Sequence, residues 1–282
     1  MILKPLGLLV LVAAAAAVPA ALWFSTTERH VSGAAAAILP IITPDDLVII
    51  DGNLPFQADP GGLIRPFAPF AAVVMTPEDP QPELSTFPQK RVFLVGKHWE
   101  GLAGPSAQRL ADGVLMVEPV HQGELLVTMT DRLRVSVEQG GVQRPCSQRH
   151  PSGGVKCGGQ PWQWVGPSVV TANGKRHACL WAHPVHQHRL HLDVPVPGPA
   201  RASLWLQFAD EAINDSAHPA ILINASVDGN VVSSVTCTND KPGRCPVVVD
   251  VPQGAPGFRL SLETVDAARQ LVCLGGEVVT NP

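Results

Sequence analysis

The sequence predicts an α+β protein in two lobes: an N-terminal apolar helix, a small three-layer α/β unit, and then an antiparallel jelly-roll-like β-sandwich. Three observations carry this. Leu6 to Phe24 holds 19 residues without a charge. Continuous apolar runs recur between residues 46 and 95, the mark of strands covered on both faces, as in a parallel sheet. Beyond Val137 short runs alternate with turn residues, as in an antiparallel sandwich, and all six cysteines lie there, between Cys146 and Cys273.

The apolar segment is just long enough for a hydrocarbon core of about 30 Å. It also offers Val18-Pro19-Ala20 as small residues for a signal peptidase, so residues 1–24 read as a membrane anchor or a cleaved signal. Lys4 favours a cytoplasmic N-terminus, which places the remainder across the membrane in either case. Residues 25–43, with Ala34 to Ala37 giving way to Pro40, form a connector. Cysteine usage agrees with a periplasmic or cell-surface location, because disulfides persist in oxidising compartments.

Residues 44–136 make the α/β domain. Asp46 to Ile50 ends at Asp51-Gly52-Asn53, and Ala71 to Met75 and Arg91 to Val95 repeat its form. Pro105 to Asp112 reads as a short helix, with Pro105 in its first turn and Gly113 as its stop. Val114 to Val117 returns as a strand, and Gly123 turns a closing hairpin between Val117 and Val127.

Residues 137–282 make the sandwich. Arg189 to Val194 and Ala202 to Phe208 alternate, and Ala220 to Val227 meets Val231 to Cys237 across Asp228-Gly229-Asn230, a hairpin signal. Pro246 to Val251, Gly257 to Thr264 and Gln270 to Val279 complete the strands. Six cysteines allow 15 connectivities. Proximity pairs Cys146 with Cys157 and Cys237 with Cys245, leaving Cys179 for Cys273. The chain has no C-x-x-C, which favours disulfides over zinc.

The net charge of −4, with no run of Lys or Arg, excludes a phosphate-neutralising nucleic-acid surface. His183, His186, His188 and His191 lie within nine residues, but Pro184 and Pro195 preclude a helix, and on a strand His186 and His188 share one face while His183 and His191 point the other way. Two ligands do not make a metal site, so no metal and no cofactor is expected. In the α/β unit, Asp51, Asn53, Lys97 and His98 stand at the strand ends where ligands collect. Ser106 completes a triad with Asp51 and His98 on paper, but Gly104-Pro105-Ser106-Ala107-Gln108 is not a nucleophile elbow, so no catalytic residue is assigned. Glu78, Asp79 and Glu83, interleaved with Pro77, Pro80 and Pro82, read as a solvated extended loop. Trp162, Trp164 and Trp181 fall within 20 residues, and Trp162 and Trp164 share a face when extended. The candidate ligand-binding residues are Trp162, Trp164, Asn173, His186 and His188.

An apolar helix, a unit opening with Asp46-Leu-Val-Ile-Ile-Asp51, the strand Arg91-Val-Phe-Leu-Val95 and a sandwich follow in an order that resembles the extracytoplasmic C-terminal tail of bacterial polytopic lipid-linked-sugar glycosyltransferases. The part with Trp164-Val-Gly166, His177-Ala-Cys-Leu-Trp-Ala-His-Pro184 and Leu271-Val-Cys273 is similar to the galactose-binding-like sandwich of such tails. The acidic catalytic residues of those enzymes belong to a multi-helix membrane domain missing from this sequence, so the resemblance implies a glycan-associated or accessory role and carries over no catalytic residue. The resulting expectation is a noncatalytic, exported, membrane-anchored envelope protein whose sandwich binds a glycan or a partner protein. The alternative is an exported hydrolase, or a glycan-modifying transferase or accessory subunit, that uses the α/β unit.

Overall fold

A computed structural model describes residues 33–51, 66–69, 71–76, 81–96, 99, 107–151, 153–184, 188–213, 220–239, 243–264 and 271–280. The apolar segment Leu6 to Phe24 lies outside the described residues. Among those described, no helix is long and apolar enough to cross a membrane. The chain divides into two compact units, Met1–Asp79 with Gln89–Pro119 and Pro80–Pro88 with Val120–Pro282.

Six strands open the order: β1 (Leu47–Asp51), β2 (Ala72–Thr76), β3 (Gln81–Pro82), β4 (Val92–Val95), β5 (Ala107–Ala111) and β6 (Val114–Val117). The first unit is a mixed sheet in the order β2-β1-β4-β6-β5. β1 pairs parallel with β2 and β4, whereas β6 pairs antiparallel with β4 and β5. All residues of β1 and β4 are buried, as their unbroken apolar runs require. A single turn of helix at residues 33–38 places Ala34 and Ile38 in the core beside Val48, Ile50, Phe67 and Phe93. Asp46 ties the entry to β1: its carboxylate accepts Arg91 Nε and Nη2 at 3.0 and 2.7 Å, and Thr43 N at 2.6 Å. Burial alone would raise the Asp46 carboxyl, yet the hydrogen bonds from Arg91 and Thr43 hold it below its ordinary range.

Two expectations for this region are corrected. The helix over Pro105 to Asp112 is the strand β5 from Ala107 onward, joined to β6 by Asp112-Gly113, with Gly113 at φ 69°. Asp-Gly serves a two-residue hairpin as well as a helix stop, and a segment this short gains more from a paired edge than from one helical turn. Nor does Gly123 close a hairpin from Val117 to Val127. Glu124–Leu125 (β7) pairs with the last strand of the sandwich, and Val127 lies in the 3₁₀ turn Leu126–Met129. With one short helix against this sheet among the described residues, the described structure shows no α/β layering and is mostly β.

The second unit adds β8 (Arg134–Gln139), β9 (Val142–Pro145), β10 (Gln148–Arg149), β11 (Val155–Lys156), β12 (Trp164–Ala172), β13 (Lys175–Ala182), β14 (Arg189–Pro195) and β15 (Ala200–Phe208). After the four-residue helix Asp210–Ile213 come β16 (Ile221–Val227), β17 (Asn230–Cys237), β18 (Cys245–Val251), β19 (Gly257–Glu263) and β20 (Val272–Thr280). One sheet runs β10-β11-β12-β13-β20-β15-β18, with β3 added to β13 and β7 to β20; the other runs β17-β16-β19-β14-β8-β9. Alternate residues of both sheets, among them Leu180, Leu204 and Val249 from one and Leu190, Ile223 and Leu260 from the other, meet in one core. This is an antiparallel β-sandwich. Gly140-Gly141, Asn173-Gly174 and Asp228-Gly229 turn two-residue hairpins, all six residues at positive φ.

Three disulfides, Cys146–Cys157, Cys179–Cys273 and Cys237–Cys245, staple the sandwich and point to an extracytoplasmic compartment. Cys179–Cys273 joins β13 to β20 across a sequence separation of 94. Replacing both cysteines with alanine should lower the unfolding free energy by about 4 kcal/mol in the loop-entropy model. Guanidinium titration under oxidising conditions checks this; an unchanged midpoint would refute the assignment of that bond as the main staple.

Candidate functional site

The outer face of the longer sheet carries a run of aromatic rings, built upward from the β12–β13 hairpin. The Asn173-Gly174 turn sets a register in which Gly166 faces Trp181, while Val165 and Ala182 pair on the core face. Trp181 therefore points outward, with Trp164 as its diagonal neighbour, and the two rings stack with centroids 5.9 Å apart at 20°. Trp164 also stacks on His150, at 4.4 Å and 5°, and Trp181 lies 6.4 Å from His183.

Glycine makes the first of those stacks possible. A Cβ on Gly154 would stand 2.1 Å from Val165 O, and one on Gly166 would stand 2.6 Å from Gly154 Cα. Without side chains at both positions the loop can lie directly on β12. The Cys146–Cys157 bond closes this loop, β10 and β11 pair within it, and His150 N donates to Gly154 O at 2.8 Å. His150 is thereby delivered to the Trp164 face.

Beside the stacked rings stands Trp162, 48% exposed on a turn whose backbone is fixed from several sides. Its carbonyl accepts Trp164 N at 3.0 Å and Trp181 Nε1 at 3.4 Å. Cys157 N donates to Gln163 O, Gln163 N to Gln160 O, and Gln160 N to Gln163 Oε1, which closes the turn on itself. An indole this exposed on so constrained a turn is available for contact without reordering the backbone. His183 is buried at the other end, with Nδ1 2.9 Å from Pro184 O and Nε2 unpartnered, and burial pushes its pKa down.

The structure gathers only part of the sequence-derived set. Trp162 and Trp164 are adjacent, but they meet through a backbone hydrogen bond, and the ring that Trp164 stacks on within the sheet is that of Trp181. Asn173 is a turn residue at the opposite end of the hairpin, roughly 20 Å from Trp181 at strand rise. Its amide donates to Asp210 Oδ1 at 2.6 Å. His186 lies outside the described residues, and His188 is partly exposed just before β14. Lys97, His98 and Ser106 are also outside them, while Asp51 is 6% exposed. Among the described residues, no three His, Cys, Asp or Glu side chains are grouped to hold a metal ion. Sequence reasoning missed His150; the Gly153-Gly154 pair inside the Cys146–Cys157 loop was the available signal that this loop lies flat on a strand.

Two polar clusters elsewhere on the sandwich are bonded within themselves. On the six-stranded sheet, Ser136, His191, Ser261 and Asn224 form a row across β8, β14, β19 and β16. His191 lies 2.9 Å from Ser261 Oγ through Nδ1 and 2.9 Å from Glu138 Oε2 through Nε2. In the neutral ring Nε2–H donates to the carboxylate and Nδ1 accepts the hydroxyl. That bond first, and then Arg189, hold the Glu138 carboxyl below its ordinary value of 4.5, against a smaller opposing effect of burial. On the other sheet, Arg244 lies 4.1 Å over the Trp205 ring and donates to Glu83 at 2.7 Å. Burial lowers the pKa of His177 beside them.

No family model and no curated protein matches the chain. Among solved structures, similarity is found to sugar-binding β-sandwich modules. A Clostridium perfringens GH95 CBM51, solved with methyl-galactose, aligns at 14% identity and TM-score 0.31, covering 41% of this chain and 81% of that one. Tandem CBM51 modules of the Streptococcus pneumoniae glycoside hydrolase Sp3GH98 align at 15% and 0.36, covering 61% and 54%. The CBM51-2 and INT domains of C. perfringens ZmpB, with GlcNAc, align at 12% and 0.33, covering 52% of this chain and 37% of that one. The chain thus spans about a third to four fifths of the length of these three structures. Likeness at these scores assigns no ligand, and none of these matches is a glycosyltransferase.

Two outcomes follow from the geometry. Gly154→Val should push the disulfide loop off β12 and separate His150 from Trp164, changing tryptophan near-ultraviolet dichroism while far-ultraviolet dichroism is kept; identical near-ultraviolet spectra would contradict the close approach. Glu138 has a depressed pKa, so its stabilisation is present above pH 4.5 and is lost as pH falls through the lower folded value. Glu138→Gln should accordingly destabilise the protein at pH 7, and the gap to the parent should close on acidification. A gap independent of pH would refute this.

Proposed function

We propose that this chain is a noncatalytic, exported envelope protein whose β-sandwich binds a glycan through the Trp162 edge of the aromatic face. The supporting observation is the combination at Trp162 itself: an indole about half exposed, on a turn closed by three internal hydrogen bonds and next to the Cys146–Cys157 bond. A sugar ring presents an apolar face that an indole covers, while polar groups nearby fix its hydroxyls. A preordered ring loses little conformational freedom on binding, which favours this use over core packing. Trp164 and Trp181 stack beside Trp162, and Trp205, 9% exposed with Arg244 over its ring, is structural. Export is supported by the three disulfides. Anchoring through Leu6 to Phe24 is part of the proposal and rests on the sequence alone.

Glycan-array binding by the full chain, followed by calorimetric titration of the best ligand, tests this. Trp162→Ala should weaken binding about tenfold, the scale of one lost aromatic contact. Asn173→Ala, at the far end of the hairpin, should leave it unchanged. Equal affinity of Trp162→Ala and the parent would overturn the assignment.

A further inference from the structure

Next to the aromatic face is a cavity of about 660 Å³, lined by Asp131, Arg134, Arg149, His150 and Gly154 among others. His150 belongs to both places, since its ring lies flat on Trp164 and also lines the cavity. Five arginines elsewhere on the sandwich are paired with carboxylates: Arg132 with Glu124, Arg189 with Glu138 and Glu263, Arg201 with Asp250, Arg244 with Glu83 and Arg259 with Asp193. Among the described residues no ion pair engages Arg134 or Arg149, and Asp131 is joined to neither. Both arginines are exposed and line this one concavity, Arg134 from β8 and Arg149 from a strand inside a disulfide loop, so an anion there has two cations within its surroundings. The guanidinium fork matches the two oxygens of a carboxylate.

We propose that the ligand is an acidic saccharide: one sugar ring lies on the aromatic face at Trp162, and the carboxylate of a neighbouring uronic acid enters the cavity to meet Arg134 and Arg149. This rests on the glycan-binding reading above and specifies its ligand. Met at either arginine keeps the length of the side chain and removes the charge.

The test titrates the full chain with an oligogalacturonate and with the same oligomer fully methyl-esterified, at low ionic strength. The acid form should bind about tenfold more tightly, as expected for a charge-assisted contact. The preference should shrink when salt shortens the screening length. Arg134→Met combined with Arg149→Met should abolish the preference and leave binding of the ester intact, which also shows that the variant is folded. Trp162→Ala should weaken both forms. Equal binding of acid and ester, or a preference that survives the double substitution, overturns the inference and leaves the glycan reading standing. Binding of neither form, with the array also blank, removes the glycan reading and this inference with it.

Discussion

The eight-residue pairing of β12 with β13 is the constraint on which the aromatic face depends. Side chains alternate between faces, so a slip of one residue in β13 would send Trp181 into the core and bring Leu180 and Ala182 to the surface. The Asn173-Gly174 turn resists that slip, because both residues adopt the positive φ that a two-residue hairpin demands. Cys179 resists it again: it shares the outer face with Trp181, and its bond to Cys273 fixes β13 against β20 where Trp181 is paired with Cys273 in the ladder. A turn at one end and a covalent bond near the other hold the register over which Trp164 and Trp181 meet. Added to that frame is the Cys146–Cys157 loop, which brings His150 and adjoins the Trp162 turn.

The two outer faces spend their polar groups differently. On the six-stranded sheet several charges have cross-strand counterparts, such as Arg259 to Asp193 and Arg189 to Glu263. Those pairs knit β14 to β19, and being partly exposed they contribute modestly to stability. On the nine-stranded sheet the face carries rings and glycines together with polar side chains that bond locally, the Arg244–Glu83 pair beside His177 among them. Thr86 Oγ1, for example, accepts Ala178 N at 2.9 Å, which pairs an amide that the β13 ladder leaves open. A face rich in paired charges serves as a scaffold, whereas exposed aromatic surface is suited to a ligand.

Legibility in the sequence followed the range of the interactions. Val48 to Ile50 and Val92 to Val95 were readable as buried strands because a run of apolar residues has no solvated face in any register. Asp228-Gly229 was readable as a hairpin because its signal is local, and the cysteine pairs were readable because two of them are close in sequence. The error at Ala107 to Ala111 came from one dipeptide that serves two structures, Asp112-Gly113 ending a helix or turning a hairpin. Trp162 could be named as a candidate, but its exposure is set by the Gln160 to Gln163 turn. The Trp164–Trp181 stack depends on a register, and the place of His150 on Gly154 and Gly166, residues 12 apart in sequence that touch only through strand pairing. No short-range pattern encodes such a contact.

The Ser261–His191–Glu138 row bears on whether the sandwich is an enzyme. Its hydrogen-bond order is that of a nucleophile, a base and an orienting acid. Chemistry requires more than order. His191 is 3% exposed and Ser261 8%, both sit mid-strand on the sheet face, and the row is enclosed by Gln143, which donates to Ser136 Oγ at 2.6 Å, and by Arg189, which lies 3.5 Å from Glu138. A nucleophile needs an approach path to its oxygen and donors converging where an oxyanion forms. The main-chain amides along β14 and β19 lie in paired ladders on both sides and are not aimed at a reacting carbonyl. The row instead joins three adjacent strands, β8, β14 and β19, through side chains. It stiffens the scaffold opposite the aromatic face.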